Sequence, residues 1–561
     1  MADPSAGLGA ILAETNARLT GPGGEFEIVV EDVRGRPLPV FKNRGRSLRD
    51  LLSASVSLGD RDYLVAGERH LTYADHGAAV AAVARALADE YGVTKGDRVA
   101  ILAGNSPDWI VTFWAAACLG AITVGLNAWW SQREIEYALG HSAPRVVLAD
   151  AKRVALLTGI EGRSIPVVSI DDELAALVAA PPGADLPDVD VAEDDPAVIM
   201  YTSGTTGHPK GALHSVRNLL AVLDYHRLND AIAAALAPPR TQPRRALMSL
   251  PLFHIASLHN LAVPRLVAGD TVVIDAGRFD VDRVLRLIEA ERVTNWAVVP
   301  TMASRLVNYE RLHDYDLSSL SALSINSAPS SVALKDRLRA AVPGIQGALI
   351  DSYGLTESCT AATVATSMDL AAHPTTVGRA VSTVSIEIRD GDGVSVPDGT
   401  DGEICLRSAF NMLGYWRDES ATAAAFTPDG WLRTGDLGSL RDGLLFMSTR
   451  RSDLILRGGE NVYPAEIEAV LDEHPDVLEC AVVGVEHPDL GEEVAAVVVV
   501  ADGGNTPTTD ALRAFTAERL AYYKIPSRWS ITRAPLLRTA TGKVVRSAVT
   551  LTDDAGQPRP V

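Results

Sequence analysis

A chain of 561 residues is too long for one hydrophobic core, so at least two domains are expected, one of them large. Its 51 basic against 71 acidic residues leave a net charge of -20, which excludes a nucleic-acid or anionic-membrane surface as the main partner; a bound polyanion needs local positive charge. The four cysteines, Cys118, Cys359, Cys405 and Cys480, show neither metal-ligand spacing nor a disulfide framework, which fits a reducing, cytoplasmic setting.

The first residues, MADPSAGLGA, lack the basic start and apolar core of a signal peptide, and residues 1 to 45, weakly periodic and dotted with Gly and Pro, read as an irregular arm. Periodicity then predicts a helix over 78–87, a strand over 98–102, a helix over 134–139 and a strand over 145–149. The uncharged stretch 110–130 is long enough to span a bilayer, but Gly120 and Gly125 interrupt it. It reads as a buried helix running into a buried strand, with no transmembrane segment. Residues 181–195 are proline-containing and acidic, a linker or surface crossing. Strands over 246–250, 271–275, 297–299, 322–325 and 348–350 alternate with helices over 281–289 and 332–341, which implies a second parallel layer. After Thr376 short strands (385–388, 402–406) around a DGDG turn suggest an antiparallel subdomain. Beyond about residue 453 a helix over 464–471, strands over 479–485 and 494–500 and a helix over 508–520 make a compact α+β unit.

Between the two parallel layers lies YTSGTTGHPKG, residues 201–211, after an apolar strand pattern and before an apolar helix pattern at 219–223. Glycines let consecutive N–H groups converge, the hydroxyls of Thr202, Ser203, Thr205 and Thr206 add donors, and Lys210 adds charge, which together suit a di- or triphosphate. It is not a Walker A loop: Pro209 stands where the second glycine belongs, and Gly211 replaces the Ser/Thr after the lysine. The chain holds seven lysines against 44 arginines, so lysines at 210 and 543, both in glycine-containing motifs, suggest sites that need a compact ammonium. There are no repeats and no GxGxxG, HExxH or GxSxG motif.

Five further clusters accompany the loop: PLFHIASL at 251–258, DSYGLTES at 351–358, WLRTGDLG at 431–438, TRRSDLILRGGENVYPAEIE at 449–468 and RTATGKVVR at 538–546. In this order and spacing, over roughly residues 45–550, the chain resembles the adenylate-forming superfamily, within it most closely the fatty-acyl and aryl-CoA ligase branch. The resemblance implies an α/β fold, with a large N-terminal domain of doubly wound sheets and a small antiparallel subdomain (residues 1–451) and a small mobile α+β C-terminal domain (residues 452–561). It implies an acid-thiol ligase that forms acyl-AMP and pyrophosphate from a carboxylic acid and ATP, then acyl-CoA and AMP. A ligase loading a carrier protein, or an enzyme performing only the thioester step, remains an alternative.

Carried onto this sequence, the resemblance implies that Thr202, Ser203, Gly204, Thr205, Thr206, Gly207 and Lys210 hold the β- and γ-phosphates of ATP. Thr356 would donate to the α-phosphate and Glu357 would hold Mg2+. Tyr353, with Gly354 beside it, would stack on adenine opposite Ser327, Ala328 and Pro329, while Asp436 and Arg450 would hold the ribose. Lys543 would bridge the carboxylate and α-phosphate, and the C-terminal domain would swing about Ser452, where many members have Asp or Lys. Gly458 and Gly459 would then admit the pantetheine of coenzyme A. His254 would gate the acyl pocket and stands where amino-acid-activating members place an aspartate, which argues against an amino-acid substrate. Ser352 replaces the usual glycine at the pocket floor. Small molecules are the expected partners, with no nucleic acid, and the resemblance leaves a homodimer open.

Overall fold

A computed structural model describes residues 4–158, 160, 165–178, 185–202, 209–236, 242–326, 330–346, 348–450, 453–457, 460–487, 490–501, 503, 505–520, 522–539, 542–552 and 558–560. Among these, seven strands form one sheet in the order Gly414–Tyr415, Lys210–Ser215, Pro196–Thr202, Ile122–Gly125, Arg98–Leu102, Val146–Ala149 and Val167–Ser169. The last five are parallel, joined by crossover helices such as Pro107–Cys118 and Gln132–Ser142. A second sheet contains the parallel run Leu349–Gly354, Ala322–Ile325, Asn295–Val298, Arg245–Met248, Thr271–Ile274 and Asp62–Ala66. The expected antiparallel strands, Ser385–Arg389, Gly402–Arg407, Leu432–Arg441 and Leu444–Arg450, continue this second sheet through Gly378–Ala380 and Ala361–Ala365.

Every residue of the helix Pro107–Cys118 is buried, Trp109, Phe113 and Trp114 completely. An all-round apolar helix can lie only inside a core. This one packs in a cluster that includes Val99, Ile101 and Val198 of the first sheet and Leu64, Met248 and Val272 of the second. Its one charge, Asp108, is met by both guanidinium nitrogens of Arg69. Within the stretch 110–130, residues 110–126 are therefore core helix and core strand, while Trp129 is exposed, and among the described residues no helix is long and apolar enough to cross a membrane.

The irregular arm expected over residues 1–45 is not what forms. A helix, Pro4–Thr20, is followed by the hairpin Ile28–Val33 and Arg36–Phe41. The hairpin closes on Arg34 and Gly35 with φ of 53° and 78°, the positive values that two-residue turns need. Leu19, Phe26 and Phe41 bury against Leu228, so the cover that stabilises this segment comes from a helix two hundred residues away, and local periodicity could not reveal it.

The C-terminal sheet runs Glu460–Val462, Ile455–Arg457, Gly491–Val499, Glu479–His487, with Arg528–Thr532 parallel to Gly491–Val499. Helix Pro464–Leu471, with proline in its first turn, seats Ile467 and Leu471 against Val482, Val494 and Val498.

Candidate active site

The glycine-rich loop closes a β-hairpin. Pro196–Thr202 enters it buried, and Lys210–Ser215 returns antiparallel with Lys210 directly opposite Thr202, so a strand that the sequence reading did not include stands between the lysine and the helix expected at 219–223. Helix Val216–Leu236 begins only after that strand. Ser203, Gly204, Thr205, Thr206 and Gly207 lie outside the described residues. Thr202 Oγ1 donates to the Lys210 carbonyl at 3.5 Å, and the Lys210 ammonium stands 5.2 Å over the Tyr415 ring. Tyr415 arrives on the short strand Gly414–Tyr415, paired with Ala212–Leu213, and Gly211 permits that approach because a Cβ there would meet Ile199 at 2.8 Å and Trp416 at 3.5 Å.

Thr356 and Glu357 sit on one turn of 3-10 helix, Thr356–Ser358, at the end of Leu349–Gly354. Three features hold that turn. Ser358 Oγ meets Leu355 N at 3.1 Å and the Thr360 carbonyl at 2.8 Å, and Cys359 adopts φ +63° to end it. Gly354 lies at a register shift where a Cβ would meet the Thr360 carbonyl at 2.4 Å, so it serves the backbone path here. Beneath the turn lie two buried imidazoles, His214 and His259, edge to face at 5.2 Å, with His259 Nδ1 3.3 Å from the Cys359 carbonyl. Burial lowers both, His259 to about 4, so they pack as neutral rings. Tyr415 Oη donates to Glu357 Oε1 at 2.8 Å. Among the described residues no group of three His, Cys, Asp or Glu could enclose a metal ion. A lone, oriented carboxylate such as Glu357 suits Mg2+, which keeps several waters and takes its remaining ligands from substrate phosphates.

Tyr353 and Asp436, predicted at adenine and ribose, come together: Tyr353 Oη donates to Asp436 Oδ2 at 2.8 Å, and both residues are buried. Asp436 is in register with Arg450 on the neighbouring strand, which places both predicted ribose residues on one ladder rung. Ser327, Ala328, Pro329, Ser452, Gly458 and Gly459 lie outside the described residues. Ser352 Oγ donates to Asn326 Oδ1 at 2.7 Å, and Asp351, on the opposite face of the strand, forms a buried pair with Lys335 at 2.8 Å. That lysine is structural.

Lys543 reaches the same region from the end of the chain. It lies in a hairpin held by Thr539 N to the Lys543 carbonyl at 2.7 Å and Gly542 N to the Thr539 carbonyl at 2.9 Å, and tied to the C-terminal sheet by the Arg538–Glu479 pair. Gly542, at φ +79°, presses on Val299 and Thr301 so closely that a Cβ would stand 2.8 Å from each. His254 feels the Lys543 charge: burial first, then this ammonium, hold its imidazole down at about 4. His254 Nε2 is buried with no hydrogen-bond partner among the described residues. A neutral ring with an unused nitrogen therefore faces a cation, an arrangement that suits a carboxylate between them.

Residues 53–416 match the family described as AMP-binding enzyme, and residues 466–543 match the AMP-binding enzyme C-terminal domain. The chain belongs to the AMP-binding enzyme family. Within this family it falls in the acyl-CoA synthetase branch of the adenylate-forming enzymes. It is 37% identical over 489 residues to a feruloyl-CoA synthase of an Amycolatopsis species, covering 86% of this chain and 94% of that one. Among solved structures, the amide bond synthetase McbA from Marinactinospora thermotolerans superposes with a TM-score of 0.78 at 31% identity, over 89% of this chain and 98% of that one. The o-succinylbenzoate CoA synthetase from Bacillus subtilis, in complex with its acyl-adenylate intermediate, gives 0.75 at 30% identity over 91% and 98%.

The motifs led to Glu357, Asp436 and Lys543 but not to Tyr415. Its only sequence signal is the GYW at 414–416, and what brings it to Glu357 and Lys210, pairing with the strand after the loop, is a long-range contact.

Proposed function

We propose that this protein is an ATP-dependent, AMP-forming acyl-CoA synthetase acting on a carboxylic acid that is not an amino acid. The observation that carries this reading is the Lys543 hairpin seated on Val299 and Thr301, with its charge felt by His254. In the first step a carboxylate oxygen attacks the α-phosphorus of ATP, the new O–P bond replaces the bond to the β-phosphate oxygen, and pyrophosphate leaves. Lys543 lies between the two anions and offsets the charge they bring together. His254, neutral, donates to the carboxylate without competing for its charge. Thr202 to Lys210 hold the departing phosphates, Thr356 donates to the α-phosphate, and Asp436 with Arg450 holds the ribose. Glu357, aimed by Tyr415, would hold Mg2+, which when bound neutralises phosphate charge. In the second step the coenzyme A thiol, losing its proton, attacks the acyl carbon and AMP leaves.

Division at residues 451 and 452 would let the C-terminal domain withdraw Lys543 after the first step and bring Gly458 and Gly459 to the pantetheine. Coenzyme A as the acceptor is supported by the feruloyl-CoA synthase and the succinylbenzoate CoA synthetase; an amide bond synthetase of the same fold makes amines the acceptor to test beside it.

Exchange of radiolabelled pyrophosphate into ATP, measured across fatty, aryl and amino acids, tests the first half-reaction. Exchange is expected with acids lacking an α-amino group. Exchange with amino acids only, or with no acid, overturns the reading. Thioester, carrier-protein and amide assays on the same acids then identify the acceptor.

A further inference from the structure

Tyr415 fixes one oxygen of the Glu357 side chain, but where the Glu357 backbone lies depends on how the turn Thr356–Ser358 ends. It ends on Cys359 at φ +63°, a conformation that glycine takes freely and a residue with a Cβ takes only at a cost. That corner therefore needs support from outside the turn.

The support comes from the segment that carries His254. Pro264 has no N–H for the Asn260 carbonyl and its ring crowds that carbonyl, so the chain ahead of it widens into the π turn Leu258–Ala262, with Ala262 N donating to the Ser257 carbonyl at 2.8 Å. Two consecutive side chains of this turn meet two consecutive residues at the end of the Glu357 turn. His259 Nδ1 lies 3.3 Å from the Cys359 carbonyl oxygen and 3.3 Å from Cys359 Sγ, and Asn260 Oδ1 accepts the Thr360 hydroxyl. A carbonyl can only accept, so Nδ1 carries the proton of the neutral ring and donates it. His259, Cys359 and Thr360 are buried, and a Cys359 carbonyl stripped of this donor would be buried unsatisfied. His214, itself buried on the strand Lys210–Ser215, packs edge to face on the His259 ring at 5.2 Å and restrains it. The strand that leaves the glycine-rich loop, the His254 segment and the Glu357 turn thus meet at one imidazole.

We propose that His259 is a positioning residue for Glu357: its Nδ1–H holds Cys359 in the positive-φ conformation that ends the Glu357 turn, and the Asn260–Thr360 bond beside it fixes the same corner. The proposal rests on the reading above in which Glu357 holds Mg2+.

Pyrophosphate exchange titrated with Mg2+, on the whole protein and its variants, tests it, with the melting temperature of each preparation measured alongside. His259→Leu removes the donor and should raise the Mg2+ concentration needed for half-maximal exchange about tenfold or more, the size of effect that follows loss of a group orienting a metal ligand. His259→Asn, whose Nδ2 can stand near the place of the imidazole Nδ1, should recover most of that loss. Cys359→Gly takes the positive φ without help, so adding it to His259→Leu should bring the Mg2+ requirement back toward that of the unaltered protein. Thr360→Val removes the neighbouring bond, should shift the requirement in the same direction by a smaller factor, and serves if His259→Leu does not fold. A role in packing alone would lower the melting temperature and the active fraction and leave the Mg2+ requirement where it was. An unchanged requirement in His259→Leu or, where that variant does not fold, in Thr360→Val, an equal rise in His259→Leu and His259→Asn, or no recovery on adding Cys359→Gly overturns the positioning role and leaves the synthetase reading standing. Exchange by the unaltered protein with no acid overturns the reading beneath it.

Discussion

Tyr415 and Glu357 are joined by a 2.8 Å hydrogen bond from phenol to carboxylate, and the same phenol ring lies 5.2 Å beneath the Lys210 ammonium. One tyrosine thus links the two ends of the proposed polyphosphate site, which stand about 150 residues apart in the chain. The bond fixes one carboxylate oxygen, and the ring face draws the ammonium over it.

Tyr415→Phe keeps the ring and removes the hydroxyl. A carboxylate that has lost its orienting partner holds a metal less well, so the rate of pyrophosphate exchange should fall about ten- to a hundredfold, with a higher Mg2+ concentration needed for half-maximal rate. An unchanged Mg2+ dependence would show that Glu357 does not hold the metal.

Lys543→Ala removes the cation beside His254 and should abolish exchange, while thioester formation from supplied acyl-AMP is largely retained, because the second step does not bring two anions together. Comparing both half-reactions in one preparation decides it, and unimpaired exchange removes Lys543 from the first step.

Tyr353→Phe leaves the ring and breaks the 2.8 Å bond to Asp436. Losing a buried hydrogen bond to a charged group costs about 1.5 kcal/mol, so the KM for ATP should rise roughly tenfold with little change in kcat. A loss confined to kcat would place the pair in the chemical step.

Acid should destabilise the fold above the range where most carboxylates titrate. Burial holds His226, His254 and His259 at about 4 and His76 at about 3, all below the 6.5 of a free imidazole. The unfolded chain therefore binds protons between pH 6.5 and about 4 that the folded chain refuses, and stability present above 6.5 drains as the pH falls through that window. By pH 5 the loss is about 2 kcal/mol per imidazole. Asp224, raised to about 6 by burial, acts in the opposite direction and recovers about 1 kcal/mol. The melting midpoint should be several degrees lower at pH 5 than at pH 7; equal midpoints would mean that these rings bind protons without unfolding.

Much of this protein could be read locally. The strands over 98–102 and 322–325 and the helices over 332–341 and 464–471 fall where the periodicity put them, because a buried strand or amphipathic helix carries its pattern in consecutive residues. The motifs around Glu357, Asp436 and Lys543 were legible for a similar reason: each is a short run whose glycines, hydroxyls and charges serve one turn. The N-terminal helix and hairpin, the strand after the loop, and the Tyr415–Glu357 and Tyr353–Asp436 contacts were not. Each depends on surfaces from distant segments that meet only when the sheets pair and pack, and a hydrogen bond between residues 58 or 83 positions apart leaves no periodic trace in the chain. Sequence alone settled the family and named the candidate reacting groups; only the tertiary structure decided which of those groups meet and what orients them.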